Sequence, residues 1–199
     1  PGLRQRSAMT PKFRAAVDAL ADRVAVEPGV IAVTASRRGA GVSFSVVQLG
    51  LALAAQGDGE VAVVDANFGA PSLHESFGID SLVEPSLLSA LAEETDARPA
   101  KIDAGLHLLV AGQEESSRRG VSVRRFRQVL AELRITYPFV LIDLPALSEW
   151  SAAADWAAAA DRVLLIAEAG RVQGRELTAS ADKLRSAGAQ CSGVVLNKR

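Results

Sequence analysis

The sequence predicts an α/β protein built on a doubly wound, mainly parallel sheet of six to eight strands with helices on both faces. Three observations support this prediction. Short apolar runs alternate with helical patterns along the 199 residues. Most of these runs are apolar at successive positions, which is typical of strands that are covered on both faces. Strands that alternate with helices imply right-handed crossovers, so the strands lie parallel in one sheet.

The elements can be placed in chain order. The first helix begins after Thr10, a residue type that caps helices, with Pro11 at the first helical position, and it ends before Pro28. Further helices are predicted near residues 43–56, 85–94, 122–136, 149–160 and 172–187. The predicted strands are VIAVTA, EVAVVDA, LHLLVAG, FVLIDL, RVLLIAEA and CSGVVLN. The stretch ESSRRGVS is predicted to be a mobile loop.

Composition restricts the class of protein. Hydrophobic residues make up 49% of the chain and charged residues 23%, as in an ordinary core-forming protein. The formal net charge of -1 argues against bulk attraction to nucleic acid or anionic lipid. The single cysteine, Cys191, excludes an internal disulfide and fits a reducing compartment, where we expect it to be a buried small residue.

We expect one domain over residues 11–199, preceded by a flexible N-terminal segment at residues 1–10. The N-terminal segment is polar and does not resemble a signal peptide. No uncharged apolar run reaches the roughly 18 residues of a transmembrane helix. We therefore expect no part of this sequence to span a bilayer.

A glycine-rich turn follows the first predicted strand. Gly39 and Gly41 can adopt positive φ, so that successive backbone N–H groups form an anion-binding nest. The N-terminus of the next helix adds about half a positive charge. A tight turn without a ligand fits the same residues. The predicted phosphate-binding residues are Arg37, Arg38, Gly39, Ala40, Gly41, Val42, Ser43 and Phe44.

The cation usual in such a turn is missing. Val42 stands where a phosphate-binding loop carries lysine, and groups of that kind are typically worth roughly 10²–10³ in rate. Arg37 or Arg38 could replace the lysine, because a guanidinium binds phosphate through its planar fork. The alternative is two solvated loop arginines.

Two further strands end in an acid. Asp65 and Asp143 are expected at the carboxyl edge of the sheet, where open parallel sheets bind ligands. With the hydroxyl of Ser43 they could hold Mg²⁺, and they are the candidate catalytic carboxylates. The alternative is that both carboxylates cap neighbouring loop N–H groups.

A dinucleotide-binding fold is a weaker interpretation of the same turn. Gly39 and Gly41, followed by Asp65 after the next strand, imitate its fingerprint. However, Phe44 stands at the third glycine position, where a ring would block close packing of helix and strand.

Several stretches together resemble a known family. They are VIAVTASRRGAGVS, VAVVDANFGAPSLHESFGI, GLHLLVAG, YPFVLIDLPA, ADRVLLIAEAGR and GVVLN. Over residues 11–199 the chain resembles the bacterial tyrosine kinases of capsule and exopolysaccharide export, of the CpsD, CapB and Wzc cytoplasmic-domain type. These belong to the wider P-loop group that contains MinD and ParA, whereas PSLHESFGI and LLVAG are typical of the kinases alone. The resemblance implies a P-loop NTPase-like fold that binds ATP or ADP with Mg²⁺, and it matches Asn197 to an adenine-contacting asparagine.

The chain departs from the pattern of this family at charged positions. The second acidic motif, DxDxR in the family, is Asp65, Asn67 and Gly69 here, and Leu144 replaces a hydroxyl residue after Asp143. Asn67 is neutral and cannot act as a base. Phosphoryl transfer depends on positioning and electrostatics, so these losses weaken it directly.

The features of the family that concern assembly are also reduced. Of its Glu-x-x-Arg-x-x-Arg oligomerisation motif, aligned with Pro11, Arg14 and Val17, only the arginine at position 14 remains. We therefore expect a monomer or dimer rather than the ring of the family. Tyr137 is the sole tyrosine, so the tyrosine cluster that the family autophosphorylates is absent from this sequence.

The resulting hypothesis is a pseudokinase that acts as a scaffold or regulator in exopolysaccharide or capsule biosynthesis. The resemblance implies an inner-membrane chain-length determinant of the Wzz or CapA type as partner. It also implies a cytoplasmic location, with peripheral attachment to the inner membrane through that partner alone. The first alternative is an active ATP-dependent tyrosine kinase or ATPase that uses a loop arginine. The second is a MinD- or ParA-like positioning ATPase.

Other conspicuous residues have structural interpretations. Trp150 and Trp156 are expected in the core, and His74 in a structural loop. His107, at the start of a strand, carries no functional prediction. A basic cluster is read as a solvated face, with a docking surface for an acidic partner as the alternative. Its members are Arg118, Arg119, Arg124, Arg125 and Arg127.

Overall fold

The computed structural model describes residues 10–57, 59–92, 95–112 and 122–198. The described helices are α1 (Pro11–Ala25), α2 (Val42–Gln56), α3 (Leu73–Phe77), α4 (Leu87–Leu91), α5 (Val123–Thr136), α6 (Ala153–Ala157) and α7 (Gly174–Ser186). The strands are β1 (Gly29–Ala35), β2 (Val61–Asp65), β3 (Ala100–Asp103), β4 (Leu106–Leu109), β5 (Phe139–Asp143), β6 (Arg162–Glu168) and β7 (Cys191–Asn197).

The strands form one seven-stranded sheet in the order β3-β4-β2-β5-β1-β6-β7. Six strands run parallel, and β3 pairs antiparallel with β4 at one edge. The predicted doubly wound α/β fold is therefore confirmed. Sequence reasoning missed β3 and α3. Both are four or five residues long, too short for hydrophobic periodicity to stand out.

The core has two layers, one on each face of the sheet. Along β1, Val30 and Ala32 enter one cluster while Ile31 and Val33 enter the other. The first cluster is closed by α4, α5, α6 and α7, and the second by α1, α2 and α3. Since successive side chains of a strand point to opposite faces, a strand between two layers of helices must be apolar at every position.

Local sequence explains where the helices begin and end. The hydroxyl of Thr10 accepts a hydrogen bond from the Phe13 N–H at 3.3 Å, as predicted for the start of α1. Helix α2 is flanked by Gly41 at its N-cap and Gly57 at its C-cap, and both glycines are left-handed. In α5, buried apolar residues recur every three or four positions, at Phe126, Val129, Leu130 and Leu133.

Some boundaries differ from those predicted. Helices α4 and α6 each have five residues, whereas helices over 85–94 and 149–160 were expected. Residues 1–9 and residues 115–121 of the predicted loop ESSRRGVS lie outside the described residues. The division into a flexible segment and one domain remains a prediction. Within the described part of the chain, none of the helices combines the length and the apolar character that a membrane span needs.

Candidate functional site

Strands β2, β5 and β1 are neighbours at the centre of the sheet, so their carboxyl ends meet at one edge. Asp65 ends β2 and Asp143 ends β5, and the two residues are partners in the register of these strands. The glycine-rich turn follows β1 on the other side of β5. The fold therefore brings together the three segments that the sequence singled out.

The two glycines of the turn have the left-handed backbone that an anion-binding nest uses. Gly39 has φ 82° and Gly41 has φ 91°, both in the left-handed region. Helix α2 begins directly afterwards, so its unpaired first N–H groups face this turn. This geometry requires no lysine.

The end of β7 holds the turn in place. The Asn197 side-chain amide donates a hydrogen bond to the carbonyl oxygen of Ala40 at 2.9 Å. A Cβ on Gly41 would lie 2.5 Å from the same Asn197 nitrogen. Glycine at position 41 therefore permits both the left-handed turn and the close approach of Asn197, whose predicted contact with an adenine stays untested.

The residues that replace the usual cation and hydroxyl are apolar and packed. Val42 is half-buried against the core cluster that α1 and α2 cover. Phe44 is 45% exposed, and its ring lies 5.6 Å from that of Phe13 on α1, centroid to centroid. The ring of Phe44 therefore lies on the outer side of α2. Helix α2 comes close to the sheet at Gly50 instead, where an added Cβ would lie 3.0 Å from the Val63 side chain.

Both loop arginines pair with acids. The Arg37 Nε lies 2.6 Å from the Glu176 carboxylate on α7, and the Arg38 Nε lies 3.5 Å from the Glu149 carboxylate. All these groups are at least partly exposed, so each pair contributes little to stability. A phosphate would have to compete with a carboxylate for either guanidinium. Sequence reasoning missed both glutamates because their partners lie more than 100 residues away.

Asp65 is saturated by backbone donors. One carboxylate oxygen accepts from the N–H of Asn67, and the other from the N–H groups of Ser72 and Leu73, all at 3.1 Å. Burial raises the pKa of Asp65 to about 6, against the lowering effect of these hydrogen bonds and of nearby His74. Asp65 therefore organises the loop between β2 and α3, as the structural alternative supposed.

Asp143 is buried and unsatisfied. Its side chain is fully inaccessible, and neither carboxylate oxygen has a hydrogen-bond partner among the described residues. Burial, followed by repulsion from Asp65, raises its pKa well above the ordinary value, while the nearby Ser43 hydroxyl lowers it without reaching hydrogen-bonding geometry. An orphaned buried carboxylate needs a proton or a cation.

A cavity of about 220 Å³ opens among the loops that follow the central strands, although neither Asp65 nor Asp143 lines it. Its lining includes Arg38, Asn67, Phe68, Pro145 and Trp150. These residues come from the segments that follow β1, β2 and β5, so the cavity lies at the same edge of the sheet. In the described part of the chain, no group of three or more His, Cys, Asp and Glu side chains is placed to hold a metal ion.

The other singled-out residues lie outside this arrangement or at its margin. Trp156 is fully buried and stacks on Phe126, as predicted, whereas Trp150 is half-buried and lines the cavity. His107 lies on β4 beside Glu60. Cys191 is half-buried at the start of β7 rather than fully buried.

The predicted basic cluster is described only in part. Arg124 and Arg127 are exposed on α5. Arg125 is half-buried and donates to the Ala90 carbonyl at 3.0 Å. Arg118 and Arg119 lie outside the described residues.

No protein-family model matches the chain. Among curated proteins it is 26% identical over 162 residues to the tyrosine-protein kinase ptk of Acinetobacter johnsonii, covering 79% of this chain and 22% of ptk. It is 27% identical over 121 residues to the septum site-determining protein MinD of Synechocystis, covering 59% of this chain and 45% of MinD. The chain thus spans less than half the length of the curated relatives it matches.

Solved kinase domains share the fold over nearly all of the chain. The kinase domain of VpsO is 26% identical with a TM-score of 0.81, covering 92% of this chain and 91% of that domain. The kinase domain of the Escherichia coli tyrosine kinase ETK is 24% identical with a TM-score of 0.84, covering 93% of this chain and 75% of that one. MinD from Pyrococcus horikoshii, solved with Mg-ADP, is 23% identical with a TM-score of 0.72, covering 84% of this chain and 69% of that one. The structural neighbours thus include bacterial tyrosine-kinase domains and MinD, and the predicted P-loop NTPase-like fold is confirmed.

Proposed function

We propose that this domain, which has the fold of bacterial tyrosine-kinase domains, is a nucleotide-responsive scaffold that transfers phosphoryl groups weakly or not at all. The proposal rests on the absence of a free cation at position 42 and in the loop around it. Val42 packs against the core, and the two arginines of the same loop are engaged by Glu176 and Glu149. The nest for a phosphate is present, but its charge compensation is not.

The residues present fit a nucleotide with Mg²⁺ in part. Gly39 and Gly41 form a turn that a phosphate can approach, and the unpaired Asp143 carboxylate next to Ser43 suits a hard cation. ATP or ADP bound there would supply its own phosphate charges, which Mg²⁺ would neutralise in part. The missing lysine would reduce affinity and, to a larger extent, stabilisation of the transition state.

Asn67 is a second reason to expect weak phosphoryl transfer, because it replaces a carboxylate. Asn67 lines the cavity of about 220 Å³, yet its amide can neither accept a proton nor bind a cation as a carboxylate would. Asp65 keeps its place, but its oxygens are occupied by three N–H groups. Asp143 is therefore the carboxylate on which any remaining activity would depend.

The setting that we propose is bacterial exopolysaccharide or capsule assembly. The matches to VpsO, ETK and ptk support a role beside such kinases, and the match to the chimerical protein CapA2B2 suggests a membrane-bound partner of the chain-length-determinant class. In this proposal the domain is cytoplasmic and reaches the inner membrane through that partner. It works as a monomer or dimer rather than as a ring.

Calorimetric titration with Mg-ADP and Mg-ATP, followed by a phosphate-release assay, tests the proposal. We expect weak binding that falls at least tenfold in Asp143→Ala, and phosphate release below 1% of that of the VpsO kinase domain assayed in parallel. Val42→Lys should tighten binding without restoring turnover, because Asn67 and Gly69 remain altered. Absence of binding would reject the nucleotide response and leave a plain scaffold.

An active kinase or ATPase is the competing function. It is favoured by the position of Arg37 and Arg38 in the phosphate loop itself. Turnover that disappears in Arg37→Ala or Arg38→Ala would establish it and overturn the pseudokinase proposal. A MinD-like positioning ATPase also requires turnover, so the same assay tests that alternative.

A further inference from the structure

Helix α7 contacts the phosphate loop, residues 36–44, through one of its faces. Glu176, Ser180 and Lys183 are spaced by four and then three positions, so they lie on the same side of the helix. The Ser180 hydroxyl donates a hydrogen bond to the Ser36 hydroxyl at 2.9 Å. The Glu176 carboxylate accepts one from the Arg37 guanidinium at 2.6 Å. Helix α7 is therefore attached to the phosphate loop at two neighbouring positions.

The third residue of this face attaches the helix to a different segment. The Lys183 ammonium group donates a hydrogen bond to the carbonyl oxygen of Leu147 at 2.9 Å, in the segment that follows β5. The Leu147 N–H in turn donates to the carbonyl oxygen of Ala35, at the end of β1, at 2.8 Å. The attachment through Lys183 thus leads to the sheet and does not involve Arg37.

The two attachments to the phosphate loop differ in exposure. Ser36 and Ser180 are both buried, so separating them would leave two hydroxyl groups without partners in the interior. By contrast, the Arg37 side chain is 68% exposed and the Glu176 side chain 19% exposed. The guanidinium of Arg37 can therefore change its partner without disturbing the core. The Arg37–Glu176 pair is the attachment that an anion from solvent can open.

A nucleotide phosphate has the chemistry to open this pair. Arg37 lies in the phosphate loop two positions before Gly39, whose left-handed φ of 82° belongs to the anion-binding turn. A guanidinium offers the same planar set of N–H donors to a carboxylate and to a phosphate, so the two anions compete for it. Once a phosphate holds Arg37, the Glu176 carboxylate faces a like charge and is repelled. Glu176 lies in the first turn of α7, where this repulsion acts.

We propose that Glu176 is an autoinhibitory competitor of the nucleotide for Arg37, and that nucleotide binding loosens the first turn of α7. The phosphate takes the guanidinium, the first turn moves away with Glu176, and the contacts of Ser180 and Lys183 keep the rest of the helix in place. The buried residues of α7 are Ser180 and Leu184, so the change affects an exposed part of the domain. This inference rests on the proposed function, because it assigns a regulatory contact to the same nucleotide site.

Calorimetric titration with Mg-ADP tests the competition. Glu176→Gln keeps the size of the side chain and removes its charge, and it should tighten binding by about threefold or more. Arg37→Gln should weaken binding by a similar factor. Adding Glu176→Gln to Arg37→Gln should change the affinity little, because no guanidinium remains to be released. Asp182→Asn is the matched control, since it removes a carboxylate of the same helix whose partner, Arg185, also belongs to α7. It should leave the affinity unchanged.

Hydrogen exchange measured by mass spectrometry tests the response of the helix. The N–H groups of residues 177–180 close the first turn of α7, where the Leu177 N–H donates to the Gln173 carbonyl at 3.2 Å. Mg-ADP should speed exchange at these positions by about twofold or more and leave residues 183–186 unchanged. Glu176→Gln without nucleotide should reproduce this increase. Arg37→Gln should show it without nucleotide and gain nothing further from Mg-ADP.

The outcomes separate this inference from the proposed function. Binding to the parent domain that Glu176→Gln leaves unchanged, or that Asp182→Asn tightens equally, would overturn the autoinhibitory contact and retain the nucleotide response. Binding detected in Glu176→Gln but not in the parent would support the contact and reject a nucleotide response of the parent. Absence of binding in both would reject both proposals. Tighter binding with unchanged exchange at residues 177–180 would overturn the loosening of α7.

Discussion

The ends of β2 and β5 occupy equivalent places in the sheet yet have opposite chemistry. Asp65 and Asp143 are register partners, both are buried, and burial raises the pKa of both. Asp65 accepts three backbone hydrogen bonds, whereas Asp143 accepts none from the described residues. A carboxylate that is satisfied by its own loop stabilises the fold. A carboxylate that is left unsatisfied costs stability, and we propose that Asp143 offsets this cost by binding a cation or a ligand.

Asp65→Ala should have the largest effect on stability. The substitution leaves the N–H groups of Asn67, Ser72 and Leu73 without their acceptor, and we expect a loss of about 3 kcal/mol in the free energy of unfolding. Urea unfolding followed by circular dichroism measures it. Asp65→Asn, which retains one acceptor oxygen, should lose about half as much. A loss under about 1 kcal/mol for Asp65→Ala would mean that the hydrogen bonds of Asp65 do not stabilise the fold, so that Asp65 and Asp143 would not differ as described above.

Asp143→Asn should stabilise the protein, and more so at higher pH. Both buried carboxyls have raised pKa values in the folded state, so the folded state binds more protons than the unfolded state and its stability falls as the pH rises from about 4 through about 6. Removing Asp143 should therefore give a gain that grows as the pH rises through this range and above it, because burial raises the pKa of Asp143 well above its ordinary value.

Urea unfolding at pH 4.5, 6 and 7.5 compares the Asp143→Asn variant with the parent. If Mg²⁺ binds at Asp143, millimolar Mg²⁺ at the highest pH should narrow the difference between the two proteins. A gain that does not change with pH would show that Asp143 is not strained by its charge.

The two glycines of the phosphate loop provide a smaller, paired comparison. Gly41→Ala should lower the free energy of unfolding by about 2 kcal/mol. Alanine is strained at the left-handed φ of this position, and its Cβ would also meet the Asn197 side-chain nitrogen. At Gly39 nothing lies within 4 Å of an added Cβ, so Gly39→Ala should cost only about 1 kcal/mol for the backbone. Thermal unfolding of both variants measures the difference. Adding Asn197→Ala to Gly41→Ala should recover part of the loss, and no recovery would exclude the clash.

Removing the ion-pair partner of Arg37 should have the smallest effect on the free energy of unfolding. Glu176→Gln removes the carboxylate that pairs with Arg37, an exposed pair whose loss should change stability by less than about 0.5 kcal/mol. We expect phosphate release to stay at background, because Arg37 does not stand in the position of the missing lysine. A rise in phosphate release of tenfold or more would show that Glu176 restrains an active enzyme.

Much of the site could be located from the sequence because its parts follow strands. Gly39, Asp65 and Asp143 each come after an apolar run, and strand ends of a parallel sheet share one edge. Their roles could not be predicted in the same way. Whether an acid is satisfied depends on the path of a loop. The N–H groups of Ser72 and Leu73 reach Asp65 because the chain turns back into α3.

The sequence by itself determined the α/β class, the succession of most strands and helices along the chain, and the presence of Val42 where a phosphate-binding loop carries lysine. These features depend on local hydrophobic patterns and on residue identity, which the chain carries directly. Only the tertiary structure decided that Arg37 and Arg38 meet Glu176 and Glu149, and that Gln48 is buried without a hydrogen-bond partner among the described residues. Those facts depend on contacts between distant segments, and such contacts exist only after the helices have packed on both faces of the sheet.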